Sequence, residues 1–229
     1  METRSISIDG PSGAGKSTLA RMMAKKLGMI YVDTGALYRS IGLFVLRRDV
    51  DSRDEQSVVR LLPEIELEMK YDDAGVQRVI LCGEDITDEI RTPQISMYAS
   101  DVSAHGEVRR FLLQMQRDMA VKYDVIMDGR DIGTVVMPSA GVKIFLTAAP
   151  GIRARRRYDE LIANGRDVTL EDVLHDINER DANDSSRANA PLKPADDAVT
   201  VDTTQTDLDE SLGTLLKIYN ERLPNDAAE

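Results

Sequence analysis

Cysteine and histidine are nearly missing from this chain. Among 229 residues there is one cysteine, Cys82, and two histidines, His105 and His175. That excludes a disulfide framework and a Cys/His zinc site of the usual ligand count. Cys82 lies in the strand-like run "RVILC" and is read as a packing residue. Long apolar runs are also lacking, since none approaches the roughly 20 residues that a membrane span needs. Met1 to Asp9 reads as a short strand, not as a basic region followed by an apolar core, so no signal peptide is expected and the protein reads as soluble and cytoplasmic. Positive charge is in short supply too: 29 Lys and Arg face 40 Asp and Glu, a net charge of −11. Such a chain has no diffuse positive field to draw it to DNA or RNA. Neither nucleic acid nor a membrane is therefore expected as a partner, and anions must be held by local clusters. Repeats and low-complexity tracts are absent, and only the end, "NDAAE" (225–229), reads as frayed.

What is present is a core and a pattern. Hydrophobic residues make up 42%, enough for one α/β domain carrying an insertion or for two small domains. "RSISID" alternates like a strand and "GKSTLARMMAKKLG" reads as a helix ending at Gly28. Between them stands Gly10-x-x-x-x-Gly15-Lys16-Ser17, the full P-loop pattern. Its glycines let backbone N–H groups converge on a phosphate, and the following helix adds the positive end of its dipole. The loop residues Gly10, Pro11, Ser12, Gly13, Ala14, Gly15, Lys16, Ser17 and Thr18 are thus the candidate ATP site. Lys16 can bridge the β- and γ-phosphates, and Ser17 can place its hydroxyl on Mg²⁺, with Thr18 the weaker alternative.

The chain continues with a strand in "GMIYVDT", a helix in "GALYRSIGLFVLRR" and a short helix over 54–62. Then the character changes. "EIELEMKYDDAGVQRVILCGEDI" alternates, turns at Asp72–Gly75, alternates again and turns at Cys82–Glu84, the mark of a small antiparallel insert. Helical character returns from Thr92 to Lys122 with a break near His105–Gly106. "YDVIMD" (123–128) and "VKIFLTA" (142–148) read as buried strands, 150–163 as an arginine-rich helix, 169–183 as a charged helix, "AVTVDT" (198–203) as a last strand and 206–222 as a closing helix. Strands alternating with helices imply a P-loop NTPase-type parallel sheet flanked by helices, with an antiparallel β insert. The expected organisation is a core of 1–62 and 91–229 and an inserted unit at 63–90. Ligands in such folds gather at the carboxyl ends of the strands. That directs attention to Ser12–Ser17, Asp33–Arg39 and Gly129–Asp131. Asp128, closing the "VIMD" strand, can meet Mg²⁺ directly or through water, or can merely orient the loop.

Four stretches, "DGPSGAGKST", "DTGALYR", "DGRDIGT" and "ERDANDSSRANAPL", occur in this order. Together with the β insert they resemble the bacterial-type cytidylate kinases, a family of nucleoside monophosphate kinases, along nearly the whole chain. The resemblance implies transfer of the γ-phosphoryl group of ATP to CMP or dCMP with Mg²⁺, by a protein that is a monomer, and it makes the insert an acceptor-binding (NMP-binding) unit. It gives Arg39 and Arg130 to the acceptor phosphate. Tyr38, Arg180 and Asp184 would surround the ribose, with Thr34 and Gly35 lining the same pocket. Ser100, Arg109, Asp131 and Arg187 would read cytosine. Arg153 and Arg157, four apart on one helix face, would belong to a helical ATP lid at about 150–166, Arg153 against adenine and Arg157 on phosphate, although "RARRR" offers several choices. Lys16, Arg39, Arg130 and Arg157 would then be the catalytic set. Other readings remain open at this level: a related P-loop kinase acting on UMP, AMP or shikimate, and a nucleotide-dependent switch that only senses ATP.

Overall fold

The structure is a computed structural model, and it describes residues 3–223. The expected fraying at 225–229 lies outside the described residues. In chain order the elements begin with β1 (Ser5–Asp9), α1 (Lys16–Leu27), β2 (Ile30–Asp33), α2 (Thr34–Arg47) and α3 (Glu55–Leu61). Three short strands follow: β3 (Leu67–Tyr71), β4 (Gln77–Leu81) and β5 (Glu84–Asp85). Then come α4 (Pro93–Val102), α5 (Gly106–Lys122), β6 (Val125–Gly129) and β7 (Val142–Thr147). The chain closes with α6 (Pro150–Ala163), α7 (Leu170–Ser186), β8 (Val199–Asp202) and α8 (Leu208–Arg222).

Local chemistry sets most of these boundaries. Asp33, Thr92 and Thr169 each accept a hydrogen bond from a backbone N–H in the first turn of the helix they precede, which satisfies donors that a helix start leaves open. Asp207 and Glu210 form a reciprocal capping box at α8. Gly28 ends α1 in the left-handed conformation, its N–H on the carbonyl of Ala24.

The main sheet has the order β2-β6-β1-β7-β8, and its four pairings are all parallel. Ile8 of β1 lies opposite Asp128 of β6, and Asp33 of β2 lies opposite Asp128 from the other side. The carboxyl ends of three strands are therefore level, and Asp9, Asp33 and Asp128 meet at one rim. Ile6, Ile8, Ile126, Ile144 and Leu146 pack with Leu19, Ala20 and Met23 of α1 and Leu215 and Tyr219 of α8. Val32, Val125 and Met127 pack with Ile132 and Val136 of the turn after β6. At about 1.5–3 kcal/mol for each large apolar side chain fully buried, these layers fix the rim from below.

β3, β4 and β5 form a separate antiparallel sheet in that order. It leans on the free edge of β2. The hydroxyl of Tyr71 donates to the carbonyl of Tyr31 at 3.1 Å, and the amide oxygen of Gln77 accepts from the N–H of Asp33 at 2.8 Å. Cys82 departs from its expected packing role. β4 stops at Leu81, and Cys82 is an exposed turn residue with φ 48°. A run of apolar neighbours made it look like strand, but the turn into Gly83 rotates it outward. A π-helical turn over Ile132–Val136 was likewise not foreseen in "DGRDIGT".

Candidate active site

The loop from Gly10 to Gly15 joins the end of β1 to the start of α1. Gly10 has φ 147°, and a Cβ there would stand 1.9 Å from the carbonyl oxygen of Leu146 on β7. No other residue fits between the loop and its neighbouring strand. Gly13, at φ 75°, sits against Arg153, whose Cβ and carbonyl oxygen would be 3.0 Å from an added Cβ. Lys16 is buried, and its Nζ donates to the carbonyl of Pro11 at 2.7 Å. Burial, reinforced by Arg130 and opposed by Asp128, pushes its ammonium down to about 7. A charged lysine here therefore lacks full compensation, and an anion in the loop would supply it.

Asp128 is held from two sides. The hydroxyl of Ser17 donates to its Oδ2 at 2.7 Å and that of Tyr31 to its Oδ1 at 2.9 Å. Burial pushes the Asp128 carboxyl up, Asp33 adds to that, and Lys16 and the Ser17 hydroxyl oppose it. A carboxylate and a hydroxyl side by side are hard oxygen donors of the kind Mg²⁺ takes. Among the described residues no cluster of three or more His, Cys, Asp or Glu side chains could hold a metal by itself.

Across the rim, guanidinium groups take over. Arg39 donates to Asp33 at 2.8 Å, and Arg130 donates through Nε to Asp184 at 2.7 Å. Arg109 is bonded to Asp131 and lies over the ring of Tyr38, 5.5 Å from its centroid. Arg187 donates to the carbonyl of Ala190 at 2.7 Å and to the hydroxyl of Ser103 at 3.1 Å. The hydroxyl of Thr34 donates to the carbonyl of Asp128 at 2.7 Å. Burial acts to raise the Asp184 carboxyl, yet Arg130 and Arg187 hold it below its ordinary range. Burial, helped by Arg130, lowers Arg180 to about 10, so it stays charged at neutral pH.

Several buried polar atoms here have no hydrogen-bond partner: Arg39 Nε, Ser100 Oγ, Arg180 Nε and the Nη2 group of Arg187. Buried polar groups are nearly always bonded, and each exception asks for a reason. Four such atoms around one cavity leave donors for a polar ligand.

Both halves share a cleft of about 660 Å³. It brings together nearly every residue that sequence reasoning had singled out: Ser12 to Thr18, Thr34, Gly35, Tyr38, Arg39, Ser100, Arg109, Asp128, Arg130, Asp131, Arg157, Arg180, Asp184 and Arg187 all line it. Gly10, Pro11 and Arg153 do not, among the described residues. Arg153 is the instructive departure. It is buried behind the loop, donates to the carbonyls of Ala148 and Ser12 at 2.8 and 2.9 Å, and pairs with Asp181 of α7 at 2.7 Å. Those bonds hold its guanidinium against the phosphate loop and outside the cleft, where the resemblance had set it against adenine. Arg157 does face the cleft and pairs with Glu160. No residue of 63–90 lines the cleft in this conformation.

Sequence reasoning overlooked Arg21 and Arg91, gave Arg156 no role of its own, and missed the run Thr203, Thr206, Asp207, Leu208 and Ser211; all of these also line the cleft. The run directly follows β8, so the rule about strand ends could have found it. Arg156 ties that segment to α6 by donating to the carbonyl of Thr203 at 2.7 Å. Nothing local in the sequence marks Arg91.

A family model described as cytidylate kinase matches residues 6–221. A curated cytidylate kinase of Caldicellulosiruptor saccharolyticus is 46% identical over 226 residues, covering 99% of this chain and 100% of the relative. A cytidylate kinase of Carboxydothermus hydrogenoformans is 46% identical over 217 residues, covering 95% and 97%. Among solved structures, an uncharacterized protein of Eubacterium ventriosum superposes with a TM-score of 0.53 at 11% identity, covering 96% of this chain and 100% of that one, a likeness of fold alone. Among the described residues no helix is long and apolar enough to cross a membrane.

Proposed function

Because the chain belongs to the cytidylate kinase family, we propose that it transfers the γ-phosphoryl group of ATP to CMP or dCMP, giving ADP and CDP or dCDP. The observation that carries the reading is the two-sided cleft: a phosphate loop on one rim and unsatisfied buried guanidiniums on the other. Phosphoryl transfer needs two anions aligned end to end and their repulsion offset, with little covalent help. Groups fixed in a buried cleft do this better than water, since they need no reorganisation as charge shifts.

In this reading Lys16 and the loop N–H groups from Ser12 to Thr18 hold the ATP phosphates. Ser17 and Asp128 would hold Mg²⁺, which when bound would offset phosphate charge. Arg39 and Arg130 grip the acceptor α-phosphate by bidentate forks, which arginine geometry suits. Arg157 answers the charge that develops on the transferred group. An acceptor phosphate oxygen bonds to the γ-phosphorus as the bond to the ADP oxygen breaks. The acceptor is already an anion at neutral pH, so no side chain has to remove a proton.

Tyr38, Arg180 and Asp184, with Thr34 and Gly35, are assigned to the acceptor sugar. Ser100, Arg109, Asp131 and Arg187 are assigned to the base. Cytosine presents an O2/N3 acceptor edge and an N4 donor. Arginine or a serine hydroxyl suits the first and a carboxylate the second. Uracil carries an acceptor at O4, so it meets Asp131 with like polarity and is rejected. Residues 63–90 form the acceptor-side unit that closes over the cleft. A monomer is the working unit in this reading.

A panel of CMP, dCMP, UMP, AMP and shikimate with ATP and Mg²⁺ tests the proposal. CMP and dCMP should exceed the others in kcat/KM by at least about tenfold, or roughly 1.4 kcal/mol. Comparable turnover of UMP or AMP would remove the cytosine assignment. ATP hydrolysis indifferent to all acceptors would point instead to a nucleotide switch.

A further inference from the structure

The last residue of β1 is spent on the far side of the cleft. Asp9 directly precedes the phosphate loop, yet its buried carboxylate faces the turn after β6. Oδ1 accepts from the N–H of Ile132 and Oδ2 from the N–H of Gly133, both at 2.8 Å. Those N–H groups open the π-helical turn Ile132–Val136, where donors would otherwise be unpaired. Asp131 stands immediately before it. Its carbonyl accepts the first bond of the turn, from Val135 at 2.9 Å, and its carboxylate meets Arg109 and Arg187. The turn also presses on β1, since a Cβ on Gly133 would lie 2.7 Å from the hydroxyl of Ser7 and 3.3 Å from Oδ2 of Asp9.

We propose that Asp9 is a positioning residue for base selection: by clamping the two N–H groups after Asp131 it fixes where that carboxylate stands. This rests on the reading that Asp131 faces the cytosine amino group. The clamp needs two acceptors. Asparagine offers one carbonyl oxygen and turns an NH₂ toward the other N–H, which leaves a buried donor unmatched and moves the turn.

The test is a comparison of kcat/KM for CMP and UMP in the wild type, Asp9→Asn, Gly133→Ala and Asp131→Ala, with the KM for ATP measured alongside. Asp9→Asn should lower the CMP-to-UMP ratio about tenfold while moving the KM for ATP by less than about threefold. A merely structural residue would depress both acceptors equally and leave the ratio where it was. An unchanged ratio, or a loss confined to the KM for ATP, overturns the inference. Should Asp9→Asn fail to fold, Gly133→Ala displaces the same turn from its other side and must lower the ratio likewise. If Asp131→Ala lowers the ratio and neither of the other variants does, the clamp fails while the base reading stands. If Asp131→Ala leaves it unchanged, both fall.

Discussion

Arg39 and Asp33 form an ion pair of 2.8 Å at the head of α2, and the same carboxylate caps the helix by accepting from the N–H of Ala36 at 3.0 Å. The pair points one edge of the guanidinium at its own helix and leaves Arg39 Nε buried and free. A phosphate would therefore meet a preset donor. Arg39→Met should lower kcat by about 10²–10³-fold, the range seen when one preorganised donor to developing charge is lost. The Kd for ATP, measured calorimetrically, should stay nearly as it was. An equal weakening of ATP binding would show that Arg39 does not serve the acceptor.

Asp131→Ala should narrow the preference for CMP over UMP by about tenfold or more, because it removes the acceptor that rewards the amino group and repels the uracil carbonyl. Competition kinetics with both monophosphates in one tube give the ratio directly. Unchanged discrimination would remove Asp131 from base reading.

Arg153→Met should raise the KM for ATP and for GTP alike, each by about ten- to a hundredfold, since it breaks hydrogen bonds from a charged group to the loop carbonyl. A side chain stacked on adenine would instead weaken ATP selectively. The ratio of the two KM changes separates a brace from a base contact.

The exposed Cys82 is the chain's single cysteine and a ready site for a thiol-directed label on the three-stranded sheet. With Val121→Cys as a second site, on the exposed side of α5, the distance between labels should shorten when ATP and CMP are both present. Closure of this kind excludes water and keeps ATP from simple hydrolysis. A distance that ignores both nucleotides would end the closing-insert picture.

Burial pushes the Asp9 carboxyl up to about 6, against the pull of its two backbone N–H bonds. A folded-state value above the unfolded one means that stability from this group is fully present below about pH 4 and is lost as pH rises through about 6. The stability of the wild type relative to Asp9→Asn should therefore decline across that window, by up to about 3 kcal/mol. Denaturant melts at pH 4.5 and 7.5 would show it. A difference independent of pH would mean that Asp9 titrates at its ordinary value.

The alternation of strands and helices was readable because most boundaries carry their own local chemistry: Gly28, Asp33 and Thr92 each act within a few residues of themselves. The carboxyl-end rule then located most of the cleft. What stayed hidden depends on distant partners. Arg153 is fixed by Ser12 and Asp181, and the role of Asp9 by N–H groups 123 and 124 residues away. The strand order β2-β6-β1-β7-β8 has no local signature either. Cys82 failed for the opposite reason. The pattern around it was local and apolar, and one left-handed turn overrode it.

Ile30 bonds toward β6 through Asp124, so in the alternation of a parallel strand the polar groups of Tyr31 and Asp33 face outward from β2. Tyr71 and Gln77 occupy them with side chains where another sheet would use a strand. Cutting out 63–90 would thus do more than shorten the protein. It would bare a row of backbone donors and acceptors beside an apolar layer, the kind of margin onto which a second copy adds itself. A trimmed chain is therefore expected to self-associate, which gel filtration against the full-length protein would show.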